Sequence, residues 1–177
     1  YRWATIGKEI SHIEDATMAD VQDFFYTHYL PNNANLVVAG NVTTGQVVAL
    51  AKKWFEPIPA GKVKERNIPQ EPTQTEARFE KVAATVPFDS LYKAYHMPAR
   101  HHKDYLAVDL YSEILGRGKS SILYEKLVKQ NPVFNSISAY VTGSLDPGLF
   151  LISGQLSKGV DITEAEALIN EVVANTF

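Results

Sequence analysis

The sequence predicts an α+β fold, an antiparallel β-sheet flanked by helices. Two observations carry this. Strand-like segments fall in neighbouring pairs, Arg78 to Val86 with Leu91 to Met97 and Phe134 to Thr142 with Leu149 to Leu156, rather than alternating singly with helices. Between the pairs, two helical patterns meet at the joint Gly116-Arg117-Gly118-Lys119-Ser120. This order suits hairpins in one sheet with helices on one face.

Taken in order, the chain opens with Tyr1-Arg2-Trp3 and Ile6-Gly7, then a polar stretch to Ala16 that reads as loop or irregular edge. Thr17 followed by Asp20 resembles a capping box with Asp in place of Glu. Val21, Phe24, Phe25 and Tyr29 then recur at helical spacing. Pro31-Asn32-Asn33 stops that helix, and Asn35 to Gly40 is a short apolar run expected to form a buried strand. Thr43 or Thr44 opens a second helix, with Val47, Val48, Leu50, Ala51, Trp54 and Phe55 on its apolar face, ending near Glu56.

From Pro57 to about Thr75 prolines and charges replace large apolar residues, the composition of a linker. Arg78 to Val86 and Leu91 to Met97 are the first expected strand pair, turning at Pro87-Phe88-Asp89-Ser90. In the central helix Val108, Tyr111, Ile114 and Leu115 make an apolar stripe. Ser120 or Ser121 can cap the next helix, with Leu123, Leu127 and the stem of Lys126 on its buried side and Pro132 at its end. The second hairpin turns at Gly143 to Gly148. A last helix begins near Thr163, with Ala165, Leu168, Ile169, Val172, Val173 and Thr176 on one stripe and no stop signal before Phe177. One strand before the linker cannot make a sheet, so residues 1–56 are expected to be the C-terminal part of a domain whose other strands lie upstream. Residues 76–177 are expected to be a second α+β repeat, truncated at its end, and a chain that starts at Tyr1 with no initiator Met reads as an excised segment. Apolar faces left without those strands imply exposed hydrophobic surface and self-association.

Composition narrows the function classes. A chain of 177 residues with 45% hydrophobic and 21% charged residues has the usage of a globular protein that can bury a real core. Its apolar runs are too short for a membrane span. A net charge of -3 with scattered Lys and Arg gives no footprint for nucleic acid. Without cysteine there are no disulfides, thiolate metal sites or cysteine nucleophiles, although the compartment stays open. The ending Gly118-Lys119-Ser120 invites a phosphate-loop reading, but the first glycine of that motif should stand where Glu113 does, and a helix rather than a strand precedes it. A glycine C-cap followed by a serine N-cap explains the same residues. His12, His28, His96, His101 and His102 show no metal-binding spacing, and adjacent loop histidines lack the geometry zinc needs. Ser90, Ser120 and Ser121 lack the context of a nucleophile elbow, and Glu164 and Glu166 read as the solvent side of the last helix. No catalytic, cofactor-binding or metal-ligating residue is assigned to this chain.

The ordered motifs resemble one known family. Tyr1-Arg2-Trp3 with Ile6-Gly7, the helix from Thr17 through Phe24-Phe25 and Tyr29, and Pro31-Asn32-Asn33-Ala34-Asn35-Leu36-Val37-Val38-Ala39-Gly40-Asn41-Val42 resemble the insulinase (pitrilysin) family of zinc metallopeptidases. In the second half Tyr95-His96-Met97-Pro98, Asp104 with Asp109, the run Ile114 to Ser121 with Tyr124 and Leu127, and Asp146-Pro147-Gly148-Leu149-Phe150 resemble its second repeat. The resemblance implies a clamshell peptidase of repeated α+β domains. Its inverted zinc motif supplies two His ligands and a glutamate base, with a later Glu as third ligand. None of these residues exists here, so the resemblance implies zinc in the parent protein, none bound by this segment, and peptide substrates enclosed with a second half-molecule. Zinc-lacking halves often carry an Arg and, seven residues on, a Tyr after the Ser-Ser helix. Val128 and Asn135 stand at those positions, so the resemblance implies either the second repeat of the zinc-bearing half, helped by a partner half, or a function that has been lost; the stretch Tyr1 to Gly7, which resembles the zinc-bearing version, favours the first. The expected function is the non-ligating segment of a zinc-dependent endopeptidase, forming chamber wall and peptide-contacting surface. The alternative is a catalytically silent homologue acting as a structural or partner subunit.

Overall fold

A computed structural model of the chain describes residues 7–65, 67–69 and 71–176, so the expectations on Tyr1-Arg2-Trp3, Ile6 and Phe177 lie outside the described residues. The chain forms two compact units, Tyr1–Phe79 and Glu80–Phe177.

In the first unit a single turn, α1 (Ser11–Glu14), occupies part of the stretch expected to be irregular, where no Gly or Pro interrupts Lys8 to Ala16. Helix α2 (Met18–His28) starts at the capping box: the Asp20 amide donates to Thr17 Oγ1 at 3.3 Å, and the Thr17 amide donates to the Asp20 carboxylate at 2.9 Å. Its end is held by the turn Pro31–Asn33, where Asn33 Nδ2 donates to the His28 carbonyl. Helix α3 (Thr44–Phe55) uses Thr43 as its N-cap, with Gln46 completing a second capping box. The expected strand from Asn35 to Gly40 does not form. Extended backbone becomes a strand only when another strand takes its hydrogen bonds, and among the described residues this unit contains no other strand. Val37 is accordingly 87% exposed, and α2 and α3 bury none of their residues.

The second unit is built on an antiparallel sheet of β1 (Ser90–Met97), β2 (Phe134–Val141) and β3 (Gly148–Leu156) in the order β1-β3-β2. The register sets Leu91 opposite Gly154 and Ile137 opposite Gly154, with one shift between Phe134 and Ser136. Along β3, Phe150, Ile152 and Leu156 point into a core shared with helix α4 (Tyr105–Gly116), the short α5 (Ile122–Tyr124) with its π-helical continuation Glu125–Gln130, and α6 (Ile162–Ala174). Leu115, Leu123, Phe134, Ile152 and Ile169 are fully enclosed there. The first member of the expected strand pair is missing: residues 78–86 carry no strand, and Val82 and Val86 are exposed.

Two faces differ in detail from their patterns. The buried side of α4 centres on small residues, Ser112 and Gly116, with Tyr105 and Leu115 beside them, which turns Ile114 out to solvent. Ser112 satisfies its hydroxyl by donating to the Asp109 carbonyl at 2.7 Å. On the π-helical segment Leu127 is buried as expected, whereas Lys126 is exposed. Ser121 takes the N-cap position of α5, its hydroxyl donating to the Gly118 carbonyl.

Helix α6 is capped by Asp161, whose carboxylate accepts from the Thr163 and Glu164 amides at 2.8 and 3.3 Å. Those amides, Thr163 first, hold the Asp161 carboxyl below its ordinary value. A carboxylate depressed in the folded state stabilises above its unfolded value, and that contribution is lost as pH falls through the lower folded value. Asp161→Ala is therefore expected to lower the melting temperature at neutral pH and to leave it unchanged in strong acid, as followed by circular dichroism across a pH series.

Candidate functional site

Helices cover one face of the three-stranded sheet, and strand alternation sends the other side chains to the opposite face. Cross-strand rows there read Tyr92, Ser153 and Ser138, then Ala94, Leu151 and Tyr140. Ser90, Gln155 and Ser136 extend the surface at one end, and His96 at the other. In a chain with 21% charged residues, this face carries no Lys, Arg, Asp or Glu. A shallow depression of about 230 Å³ lies on it, lined by Tyr92, Ser136, Ser138, Ser153 and Gln155 among others. Ser138 and Ser153 hydroxyls stand 3.3 Å apart, and Tyr92 is 69% exposed. Hydroxyls, a primary amide and tyrosine rings without formal charge suit an uncharged polar partner such as peptide backbone. No nucleophile–base pair is built into it.

The residues weighed for chemistry in the sequence do not converge. His12 lies in α1, and His28 packs on the Phe24 ring at 4.6 Å. His96 is exposed in β1. His102 Nδ1 accepts from the Asp104 amide at 3.3 Å, in place of a side-chain cap by Asp104 on α4. Among the described residues no three His, Cys, Asp or Glu side chains cluster together. In the Gly-Lys-Ser loop, Arg117 is tied back to the Glu113 carboxylate at 2.6 Å, which raises the guanidinium further. Burial pushes the Tyr111 phenol above its ordinary value against the opposing hydrogen bond to Thr176, and its ring stacks on Phe150 at 5.7 Å.

Val128 and Asn135 have structural work here. Val128 packs against the core, and Asn135 Nδ2 donates to the Leu156 carbonyl at 2.9 Å beside the register shift. Glu166 corrects its expected place on the solvent side, since it accepts from Lys93 Nζ and joins α6 to β1. Alternation in the sequence sets Tyr92, Ala94 and His96 on one side of β1, but only the register brings Ser153 and Ser138 beside them.

A family model described as the peptidase M16 inactive domain matches residues 15–176. The zinc protease PqqE of Helicobacter pylori is 34% identical over 179 residues, covering 98% of this chain and 39% of that protein. The crystal structure of a protease from Helicobacter pylori superposes with a TM-score of 0.71 at 32% identity, over 94% of this chain and 40% of that one. A peptidase M16 inactive domain from Pseudomonas fluorescens gives a TM-score of 0.74 at 22% identity, over 93% and 40% of the two chains, a likeness of fold. The chain thus spans about two fifths of the length of these relatives.

Proposed function

We propose, because this chain belongs to the peptidase M16 inactive-domain family, a non-catalytic region of insulinase-type proteins, that it forms wall and peptide-contacting surface in a zinc-dependent endopeptidase. The observation that carries this reading is the uncharged, hydroxyl-lined sheet face. When bound in the longer protein, zinc would supply the Lewis acid that activates water, held by residues outside this segment. This chain's own part is to present Ser138, Ser153, Tyr92 and Gln155 to peptide amides, while a second half-molecule closes the chamber. Residues 1–56 would complete an α+β domain with strands from elsewhere in the longer protein, 57–75 would link, and 76–177 would be the second repeat. The unpaired run Leu36 to Val38 and the exposed apolar faces of α2 and α3 support that division.

Metal analysis and peptide hydrolysis on the longer protein, beside this chain alone, test the reading. Zinc near one per chain is expected in the long form, with neither zinc nor hydrolysis in the 177-residue chain. In the long form Ser153→Asp, which sets a charge in the uncharged face, is expected to raise KM for peptides several-fold and leave zinc content unchanged. An unchanged KM would remove the peptide-contact role. A long form without zinc would favour a silent partner subunit.

A further inference from the structure

The open sheet face changes character along the strands. The rows Ser90, Gln155, Ser136 and Tyr92, Ser153, Ser138 bear hydroxyls and an amide, and the shallow depression lies among them. The next row, Ala94, Leu151 and Tyr140, is largely apolar. In the last row His96 stands opposite Leu149. The Thr142 hydroxyl beside them is tied to the Leu149 backbone, accepting from its amide at 2.7 Å and donating to its carbonyl at 3.4 Å. The exposed imidazole is therefore the polar group this end offers a ligand, and His96 is the only side chain on the face that can carry a positive charge.

The surroundings of that end have the same sign. Strand β1 runs straight into a loop bearing Arg100, His101, His102 and Lys103, and the Arg100 amide donates to the Ser144 carbonyl at 3.2 Å, which holds the loop against the β2–β3 turn. Two acids stand among them, Asp104, whose carboxylate lies 3.6 Å from His102 Nδ1, and Asp146 in the turn. We propose that this face selects an extended peptide segment with an Asn or Gln side chain in the depression, an aliphatic side chain two residues away over Leu151, and an acidic side chain two residues further at His96. The inference rests on the peptide-contact reading and adds to it the chemistry of the peptide.

Spacing and chemistry select this occupant together. Successive rows lie two residues apart along each strand, about 7 Å, and an extended peptide repeats its side chains on one face at the same interval. From the row of Tyr92 to that of His96 is two such steps. In the depression the Ser138 and Ser153 hydroxyls, 3.3 Å apart, and the Gln155 amide both donate and accept, as a carboxamide does. A charged side chain there would give up hydration with no counter-charge in return. At His96 an imidazole N–H donates to a carboxylate whether the ring is neutral or cationic, and the basic loop disfavours Lys or Arg at the same place.

Fluorescence anisotropy on the 177-residue chain tests this without hydrolysis. The labelled probes share β-branched flanks, which favour an extended form, around the cores Gln-Thr-Val-Thr-Glu, Gln-Thr-Val-Thr-Lys and Gln-Thr-Val-Glu-Thr. The first is expected to bind about tenfold tighter than the second. It should also bind tighter than the third, in which a one-residue shift turns the carboxylate to the other side of the peptide. His96→Leu is expected to bring the first two probes within about twofold of each other, and His96→Lys to keep the preference for Glu. Equal binding of the Glu and Lys probes, equal binding of the shifted probe, or a preference that survives His96→Leu would each overturn the inference and leave the peptide-contact reading standing. Binding of none of the three would overturn both.

Discussion

Gly116→Ala is expected to destabilise the Glu80–Phe177 unit by about 3 kcal/mol or more, near the upper end for overpacking a core. A β-carbon at Gly116 would lie 1.9 Å from the Ala139 amide nitrogen, 2.4 Å from its β-carbon and 2.6 Å from its α-carbon. Two of those three atoms are backbone in the middle of β2, and strand backbone cannot step aside without breaking its pairing with β3. The only relief is to lift α4 off the sheet, which opens the packing around Leu115 and Ile137. Gly118→Ala is the control two residues away. Nothing lies within 4 Å of that position, but its φ of +75° is left-handed, so the expected loss is only about 1 kcal/mol. Urea unfolding of both variants separates close approach from conformational strain. A Gly116→Ala protein as stable as Gly118→Ala would mean that α4 does not press on β2 as described.

The two glycines show which kind of information a sequence carries. Gly116-Arg117-Gly118 reads as a helix stop followed by a start, and both events occur there. The same pattern does not say that Gly116 must touch a strand more than twenty residues on. Local signals are legible for the same reason: the capping box at Thr17, the helix start at Thr43 and the hairpin from Phe134 to Leu156 depend on residues near one another in the chain. Asn35 to Gly40 and Arg78 to Val86 have the composition of strands, but a strand is a property of a pair, and composition does not report whether the partner is present. On α4 the apolar spacing correctly sets Val108, Tyr111 and Leu115 against the core, but it weighs Ile114 above Ser112, while close packing on the sheet rewards the smaller residue. The open sheet face is hidden in the sequence for a different reason. Serines and tyrosines spread over three strands form no motif in the chain and become a surface only when register places Tyr92, Ser153 and Ser138 in one row.

A fragment of residues 80–177 is expected to fold alone, whereas residues 1–79 are expected to lack a cooperative transition. Every buried apolar residue among the described ones, from Leu91 to Ile169, lies in the later unit. Each of its helices is anchored there: α4 through Leu115, α5 through Leu123, α6 through Ala165 and Ile169. Its sheet also satisfies its backbone internally except along the two edges. A core of this kind gives the cooperative melting usual for domains of about a hundred residues. In the earlier unit the helices are well capped, but a cap contributes only about 1 kcal/mol and isolated helices of this length are marginal in water. Phe24 is 58% and Trp54 64% exposed, so the apolar stripes that would hold α2 and α3 in place contribute little burial within the unit itself. Thermal unfolding of the two fragments, followed by circular dichroism and by dispersion of amide proton shifts, decides the matter. One sigmoidal transition for 80–177 and a gradual loss of helicity for 1–79 are expected. A cooperative melt of 1–79 would show that its exposed aromatic faces find partners within those residues and would undercut the division that needs strands from elsewhere. A non-cooperative 80–177 would mean that this core depends on the chain before it.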